Sequence, residues 1–113
     1  MYRPKQGDIV WLNLDPQAGH EQKGRRPALI VSNDTFNRRS PNGAMICPIT
    51  NTNRKNPLQV PLDVRTTTTG IIMCEQAKSL DVQSRQVDFI EQCPRDILKE
   101  VSDIIVGIVA VES

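Results

Sequence analysis

The sequence predicts a mainly β domain, a small and strongly curved antiparallel sheet or barrel closed by one amphipathic helix at its C-terminal end. Two observations carry this expectation. Five or more short β-rich runs follow one another with no long helical pattern between them. After Pro94 the pattern changes, and Ile97, Leu98, Val101, Ile104, Ile105 and Ile108 recur at helical spacing.

The first run, "DIVWLNL" (8–14), alternates as a strand does, with Ile9, Trp11 and Asn13 on one face and Val10, Leu12 and Leu14 on the other. "PALIVS" (27–32) is the second strand. The connection between them, "DPQAGHEQKGRR", is about twice the common loop length, and long structured loops often carry function. "NDTFNRRSPNG" (33–43) opens on turn formers, has room for one helical turn around Thr35 to Arg39, and closes on Pro41, Asn42 and Gly43. "AMICPIT" (44–50) and "LQVPLD" (58–63) read as strands, each interrupted by a proline that suggests an edge position or a bulge. "GIIMCEQ" (70–76), "KSLD" and "VDFI" are the remaining short strands. Pro94 suits a first helical position, and Asp96 favours the positive end of the helix dipole. The apolar stripe of this last helix is expected to be core or a self-association surface.

At 113 residues with 38% apolar and 24% charged content, the chain reads as one domain over 1–113 with one core. No apolar run approaches the roughly 20 residues that span a bilayer, and "MYRPKQGD" lacks the apolar core of a signal peptide, so a cytoplasmic location is expected. Cys47, Cys74 and Cys93 have no C-x-x-C spacing and read as reduced, with Cys47 and Cys74 in the core.

Charge is distributed unevenly. Residues 1–57 hold nine Lys/Arg against four Asp/Glu, whereas residues 58–113 hold five against nine. Most of the early positive charge falls in three connections: Lys23, Arg25 and Arg26; Arg38 and Arg39; Arg54 and Lys55. If they converge they form a surface suited to phosphates; if not, they are a solvated rim.

Several chemistries are excluded. His20 is the only histidine, which removes two-histidine acid/base catalysis within one chain and a histidine-dominated metal site. There is no carboxylate spacing for Ca²⁺ or Mg²⁺, no G-x-x-x-x-G-K loop and no G-x-S-x-G elbow. What remains suits a phosphodiester: an arginine, a hydroxyl, a lone histidine and an acidic residue, each near a strand end. Arg26 precedes Pro27, which biases it away from helical geometry, so its planar guanidinium can be held at the mouth of a strand. Thr50 ends its strand as a hydroxyl donor or as a strand-end cap.

In order and spacing, "GDIVWLNLDP", "GHEQKGRRPALIVSND", "FNRRSP", "CPIT" and "GIIMCEQAKSLD" resemble the MazF/PemK family of toxin ribonucleases, over essentially the whole chain. The resemblance implies an SH3-like β-barrel with appended helices, working as a homodimer. It implies an endoribonuclease that cuts single-stranded RNA without a metal or other cofactor, using the substrate's 2′-hydroxyl as nucleophile. It also implies an antitoxin whose acidic, disordered tail covers the basic groove.

Position by position, the resemblance makes Arg26 the catalytic arginine and Thr50 its threonine partner. His20 and Glu75 match residues that contact substrate or act as base in one branch of the family. Met73 stands where that branch has an arginine acid, so its mechanism does not transfer intact. Glu75 otherwise reads as an ion-pair partner of a basic loop, and His20 as a hydrogen-bonded loop residue. RNA contacts are expected from Glu21, Gln22, Lys23, Arg25, Asn33, Asn37, Arg38, Asn51, Arg54 and Gln76, with Tyr2 and Phe36 as the available stacking rings. Two other readings stay open: a toxin of similar barrel that binds DNA gyrase, and an RNA-binding module without catalysis.

Overall fold

Apolar residues on both faces of a strand require cover on both faces, and that demand organises this molecule. The computed structural model describes residues 1–15, 24–52 and 56–113. In chain order the elements are β1 (Asp8–Asn13), β2 (Arg25–Ile30), α1 (Asp34–Arg39), β3 (Gly43–Thr50), β4 (Gln59–Pro61), β5 (Ile71–Met73), β6 (Lys78–Asp81), β7 (Asp88–Gln92) and α2 (Arg95–Val109). Single 3₁₀ turns follow β5 (Cys74–Gln76) and β6 (Gln83–Arg85). The antiparallel strands lie in the order β4-β5-β3-β2-β1-β7, with β6 also paired to β3. The fold is thus the mainly β, helix-closed architecture expected, and among the described residues no ladder joins β7 back to β4.

Alternation along β1 feeds two cores. Ile9 joins Leu29, Cys47, Ile49, Val60 and Ile72 on the face covered by Ile97, Leu98 and Val101 of α2. Val10, Leu12 and Leu14 join Ala28, Ile30, Ala44 and Ile46 on the other face, where the sheet curls over itself and Tyr2, Leu80 and Val87 close the edge. Farther along α2, Ile104 and Ile105 are half-buried and Ile108 is exposed, so only the first half of the stripe is core. All three cysteines are buried free thiols, as reduced core residues should be. Burial pushes Cys74 and Cys93 up to about 11.

Some boundaries differ from the sequence reading. β2 starts two residues earlier, because Arg25 and Arg26 continue the ladder opposite Asn13 and Leu12. Pro48 does not lie at a sheet edge. β3 is central, paired to β2 on one side and to β5 and β6 on the other. The second side has a gap between Ile46↔Lys78 and Ile49↔Ile72, bridged by the 3₁₀ turn, and Pro48 falls within it. A residue without an N–H is tolerated where no neighbour asks for one. Pro61 does occupy an edge strand, β4. The strand expected over 70–76 ends at Met73, because the change of register along β3 requires the turn that follows.

The connection 62–69 is clasped to the rest of the fold. Arg65 bonds Asp63 and, at 2.8 and 3.0 Å, Asp96 at the start of α2. Glu91 of β7 accepts four hydrogen bonds, from the amide and hydroxyl of both Thr67 and Thr68. Desolvation pushes the Glu91 pKa up, but those hydrogen bonds to its charged form outweigh it, and the pKa lies below the ordinary glutamate value. The clasp therefore stabilises fully above the unfolded pKa of about 4.3 and is lost as pH falls through the lower folded value. Glu91→Gln is expected to cost about 1 kcal/mol at pH 7, discounted for exposure, with the gap to wild type closing in acid. Urea unfolding of both proteins at neutral and acidic pH checks this.

Candidate active site

Strand pairing brings the two best candidates together. The β2–β3 register runs Ile30↔Ile46, Leu29↔Cys47, Ala28↔Pro48. Carried two residues further, it sets Arg26 across from Thr50. Cross-strand partners share a face with Cβ atoms about 5 Å apart. By alternation that face is the one holding Ala28 and Ile30, so Arg26 stands at the open end of the curled core, half-buried.

Arg25 and Arg26 diverge, as neighbours on a strand must. Arg25 donates to the Gln86 carbonyl at 2.7 Å, pairs with Asp88 at 2.6 Å and lies 5.9 Å from the Trp11 ring centroid. Its guanidinium ties β2 to the β7 rim.

Thr50 is 2% exposed, and its Oγ1 accepts a hydrogen bond from the Thr52 amide at 3.1 Å. It thus serves as a strand-end cap, and that bond orients the hydroxyl. On its other side Thr50 pairs with Ile71, and Gly70 closes against it. A Cβ on Gly70 would meet the Thr50 carbonyl oxygen at 2.7 Å, and Gly70 has φ +128°, a region L side chains rarely adopt. Next door, Asn51 Oδ1 accepts from the Thr69 hydroxyl at 3.1 Å.

Glu75 lies in the turn after β5, on the side of β3 away from β2, between the Ile72↔Ile49 and Lys78↔Ile46 pairs. It is exposed, and its Oε2 accepts from Asn56 Nδ2 at 3.0 Å. Asn56 is itself fixed: its Oδ1 accepts from the Leu58 amide and its carbonyl from the Gln59 amide. Among the described residues Glu75 has an amide partner and no ion pair; Arg54 and Lys55 lie outside the described residues. Gln76, half-buried, follows on the same turn. Met73, in the position of the missing acid, is fully buried.

His20, Glu21, Gln22 and Lys23 also lie outside the described residues, but the neck of their connection does not. Asp15 Oδ1 accepts from the Gly24 amide at 2.9 Å, Leu14 N donates to the Gly24 carbonyl at 2.8 Å, and Arg85 binds the carbonyls of Asn13 and Asp15. Gly24, at φ +82°, makes the return into β2. Asp15 and Gly24, the two described ends of the connection, are therefore held together beside Arg25.

Asn33, Asn37 and Arg38 are placed elsewhere, at the far end of β2. Asn33 caps α1, accepting from the Phe36 amide at 2.9 Å. Asn37 Nδ2 donates to the Ser32 carbonyl at 3.1 Å and, more weakly, to that of Pro4. Arg38 makes one long hydrogen bond, 3.4 Å, to the Thr35 hydroxyl. Sequence reasoning missed Asn56, Thr69 and Gly70. A signal existed for two of them: Asn56-Pro57 is a turn signature, and a glycine directly before a strand marks a special backbone position.

An antiparallel sheet with an arginine at the start of β2 and a threonine at the end of the neighbouring β3, closed by a C-terminal helix, defines a class. A family model described as the PemK-like, MazF-like toxin of type II toxin-antitoxin systems matches residues 5–108. The chain is 40% identical over 103 residues to endoribonuclease PemK of Escherichia coli, covering 86% of this chain and 75% of that protein. The structure of MazF from Deinococcus radiodurans superposes with a TM-score of 0.89 at 36% identity, covering 96% of this chain and 98% of that one. A MazE–MazF structure from the same organism gives 0.83, also at 36% identity, covering 96% and 97%. The protein belongs to the PemK/MazF family of toxins of type II toxin-antitoxin systems.

Proposed function

We propose that this toxin is a metal-independent, sequence-specific endoribonuclease acting on single-stranded RNA. The observation that supports the reading is the β2–β3 register, Ala28↔Pro48 and Leu29↔Cys47, whose continuation by two residues would face Arg26 with Thr50 at one strand end. Relatives named endoribonucleases support the reaction class.

In the proposed reaction the ribose 2′-oxygen attacks phosphorus and the bond to the 5′-oxygen breaks. The products are a 2′,3′-cyclic phosphate and a 5′-hydroxyl. Glu75 or His20 takes the 2′-hydroxyl proton. Arg26 donates to the equatorial oxygens as charge builds on the phosphorane, where a fixed fork of donors acts most strongly. Thr50, oriented by the Thr52 amide, donates to the same phosphate. The leaving oxygen is protonated by His20, water or Arg26; a guanidinium with a pKa above 12 is the least suited of these. Asn51 and Gln76 are the described residues near this end that fit base contacts. Glu21, Gln22, Lys23 and Arg54 belong to the connections flanking it.

Partners follow from the same reading. The cognate antitoxin is proposed to lay an acidic segment over the cationic end of β2, in keeping with the antitoxin-bound relative. A homodimer is proposed to cover Ile104, Ile105 and Ile108.

The test is incubation of the purified protein with a long single-stranded RNA in EDTA, followed by analysis of fragment ends. Discrete cuts with cyclic phosphate ends support the proposal; intact RNA from folded, antitoxin-free protein contradicts it. A second expectation concerns Asn56. Asn56→Asp keeps the acceptor for the Leu58 amide but replaces the donor to Glu75 with a like charge. Repulsion moves the Glu75 carboxylate off the 2′-hydroxyl, so cleavage is expected to slow about tenfold, measured as single-turnover rate, while the unfolding midpoint stays nearly unchanged.

A further inference from the structure

The structure holds two adjoining cavities remote from Arg26, of about 590 and 420 Å³. Tyr2, Arg3 and Lys5 line both; Arg38 and Gln83 line the larger, Phe89 and Gln92 the smaller. We propose that this double cavity is a second contact site for the single-stranded RNA, taking backbone phosphates on Arg3, Lys5 and Arg38 and a base against the exposed Phe89 ring. The inference rests on the RNA reading above and extends it to a surface outside the reacting centre.

Three features argue for it. The first is charge without internal satisfaction. Arg3 and Lys5 are exposed and make no ion pair among the described residues, and Arg38 has only its long bond to Thr35. The two carboxylates lining the cavities are occupied. Asp34 accepts from the Gln6 amide at 2.9 Å. Asp8, 3% exposed, is held by the Tyr2 hydroxyl, the Lys5 amide and Gln92 Nε2. Accepting hydrogen bonds removes neither charge, but Asp8 is buried, so the exposed lining sets Arg3, Lys5 and Arg38 against Asp34 alone and is net positive.

The second is a stacking platform. Phe89 is 52% exposed on edge strand β7, and its ring centroid lies 6.4 Å from that of Tyr2, tilted by 33°. The Tyr2 hydroxyl bond to Asp8 fixes the ring that backs it. Ring and cations at one cavity are the pairing that holds single strands without reading sequence. The third is position. Arg26 and α1 sit at opposite ends of β2, whose six residues span about 20 Å, or about six nucleotides at helical rise. Arg38 and the Asp8 side of the cavities therefore lie well past the cut, whereas Phe89, opposite Val10 and next to the Asp88 that Arg25 binds, lies closer to it.

The experiment uses the untagged full chain and two uncleavable 2′-O-methyl RNAs, one long enough to span both ends of β2 and one covering only the Arg26 end. Affinity is read by fluorescence anisotropy across a salt series. For the Arg3→Ala, Lys5→Ala double variant, affinity for the long RNA is expected to fall about tenfold at low salt, and the slope of log K against log salt to shrink by about 1.4, roughly 0.7 per lost phosphate contact. Binding of the short RNA should be unchanged. Phe89→Leu should weaken the long RNA a few-fold with no change of slope. Urea midpoints matching wild type confirm that the variants are folded. An unchanged affinity and slope on the long RNA overturns the inference while leaving the nuclease reading intact. Failure of the wild type to bind either RNA overturns the inference. Cleavage is read separately in the EDTA incubation: intact RNA there, with the slope change kept, supports the cavity and contradicts the nuclease.

Discussion

Arg26→Ala is expected to cleave RNA roughly a thousandfold more slowly than wild type, the loss typical of removing a donor aimed at charge that develops in a transition state. A half-buried guanidinium at a strand end presents its donors in a fixed plane, so little reorganisation is needed when the phosphorane forms. Arg26→Lys separates charge from geometry: it keeps the cation but loses the fork, and should recover only a small part of the rate. Arg25→Ala provides the contrast. Its guanidinium is taken up by the Gln86 carbonyl, Asp88 and the face of Trp11, so this change should act mainly on the β7 rim and much less on the rate. Single-turnover rates for the three variants on one RNA check the ordering.

Gly70→Ala is expected to destabilise the fold by about 3 kcal/mol, combining left-handed backbone strain with a clash that only backbone movement can relieve. The added carbon would sit 2.7 Å from the Thr50 carbonyl oxygen and 3.0 Å from Ile49 Cγ2, at φ +128°. For a domain of this size the thermal midpoint should drop by roughly 10–20 °C. Gly24→Ala is the control. It shares a positive φ, +82°, but its new methyl meets nothing within 4 Å, so strain alone applies and about 1–2 kcal/mol is expected. Relief of the Gly70 clash would also move the end of β3, so cleavage should fall even where the variant remains folded. Urea unfolding of both variants tests the difference; equal losses would show that the contact with Thr50 does not matter.

Much of the fold was legible because burial imposes a period. β1 and α2 carry clean periods of two and about 3.6, and their cores follow from them. β2 was read two residues short because Arg25 and Arg26 are charged, and pairing to β1, not side-chain character, decides where the strand starts. Pro48 suggests an edge or a bulge; the strand is central, and the proline falls at the break in its pairing between Ile46 and Ile49. The end of β5 is misread at the same break.

At the site, residue identity was more legible than proximity. Arg26 before Pro27 and Thr50 at a run's end are visible in the sequence, but that they belong to neighbouring strands whose register runs towards them follows only from the fold. Asn33 and Asn37 looked like Asn51, polar residues in a turn-rich stretch. The fold sends the first two to the far end of β2, as a helix cap and a loop brace, and leaves Asn51 beside Thr50. The support of Glu75 by Asn56, 19 residues away in sequence, was beyond local pattern altogether.

The central claim is that Arg26 and Thr50 act on one phosphate. A double-mutant cycle of single-turnover cleavage in EDTA, with wild type, Arg26→Ala, Thr50→Val and the double variant, tests it most directly. The account predicts strong non-additivity: with Arg26 gone, loss of the Thr50 hydroxyl should slow cleavage at least about tenfold less than it does in the wild type. Losses that simply multiply, or a folded wild type that leaves RNA intact, would contradict it.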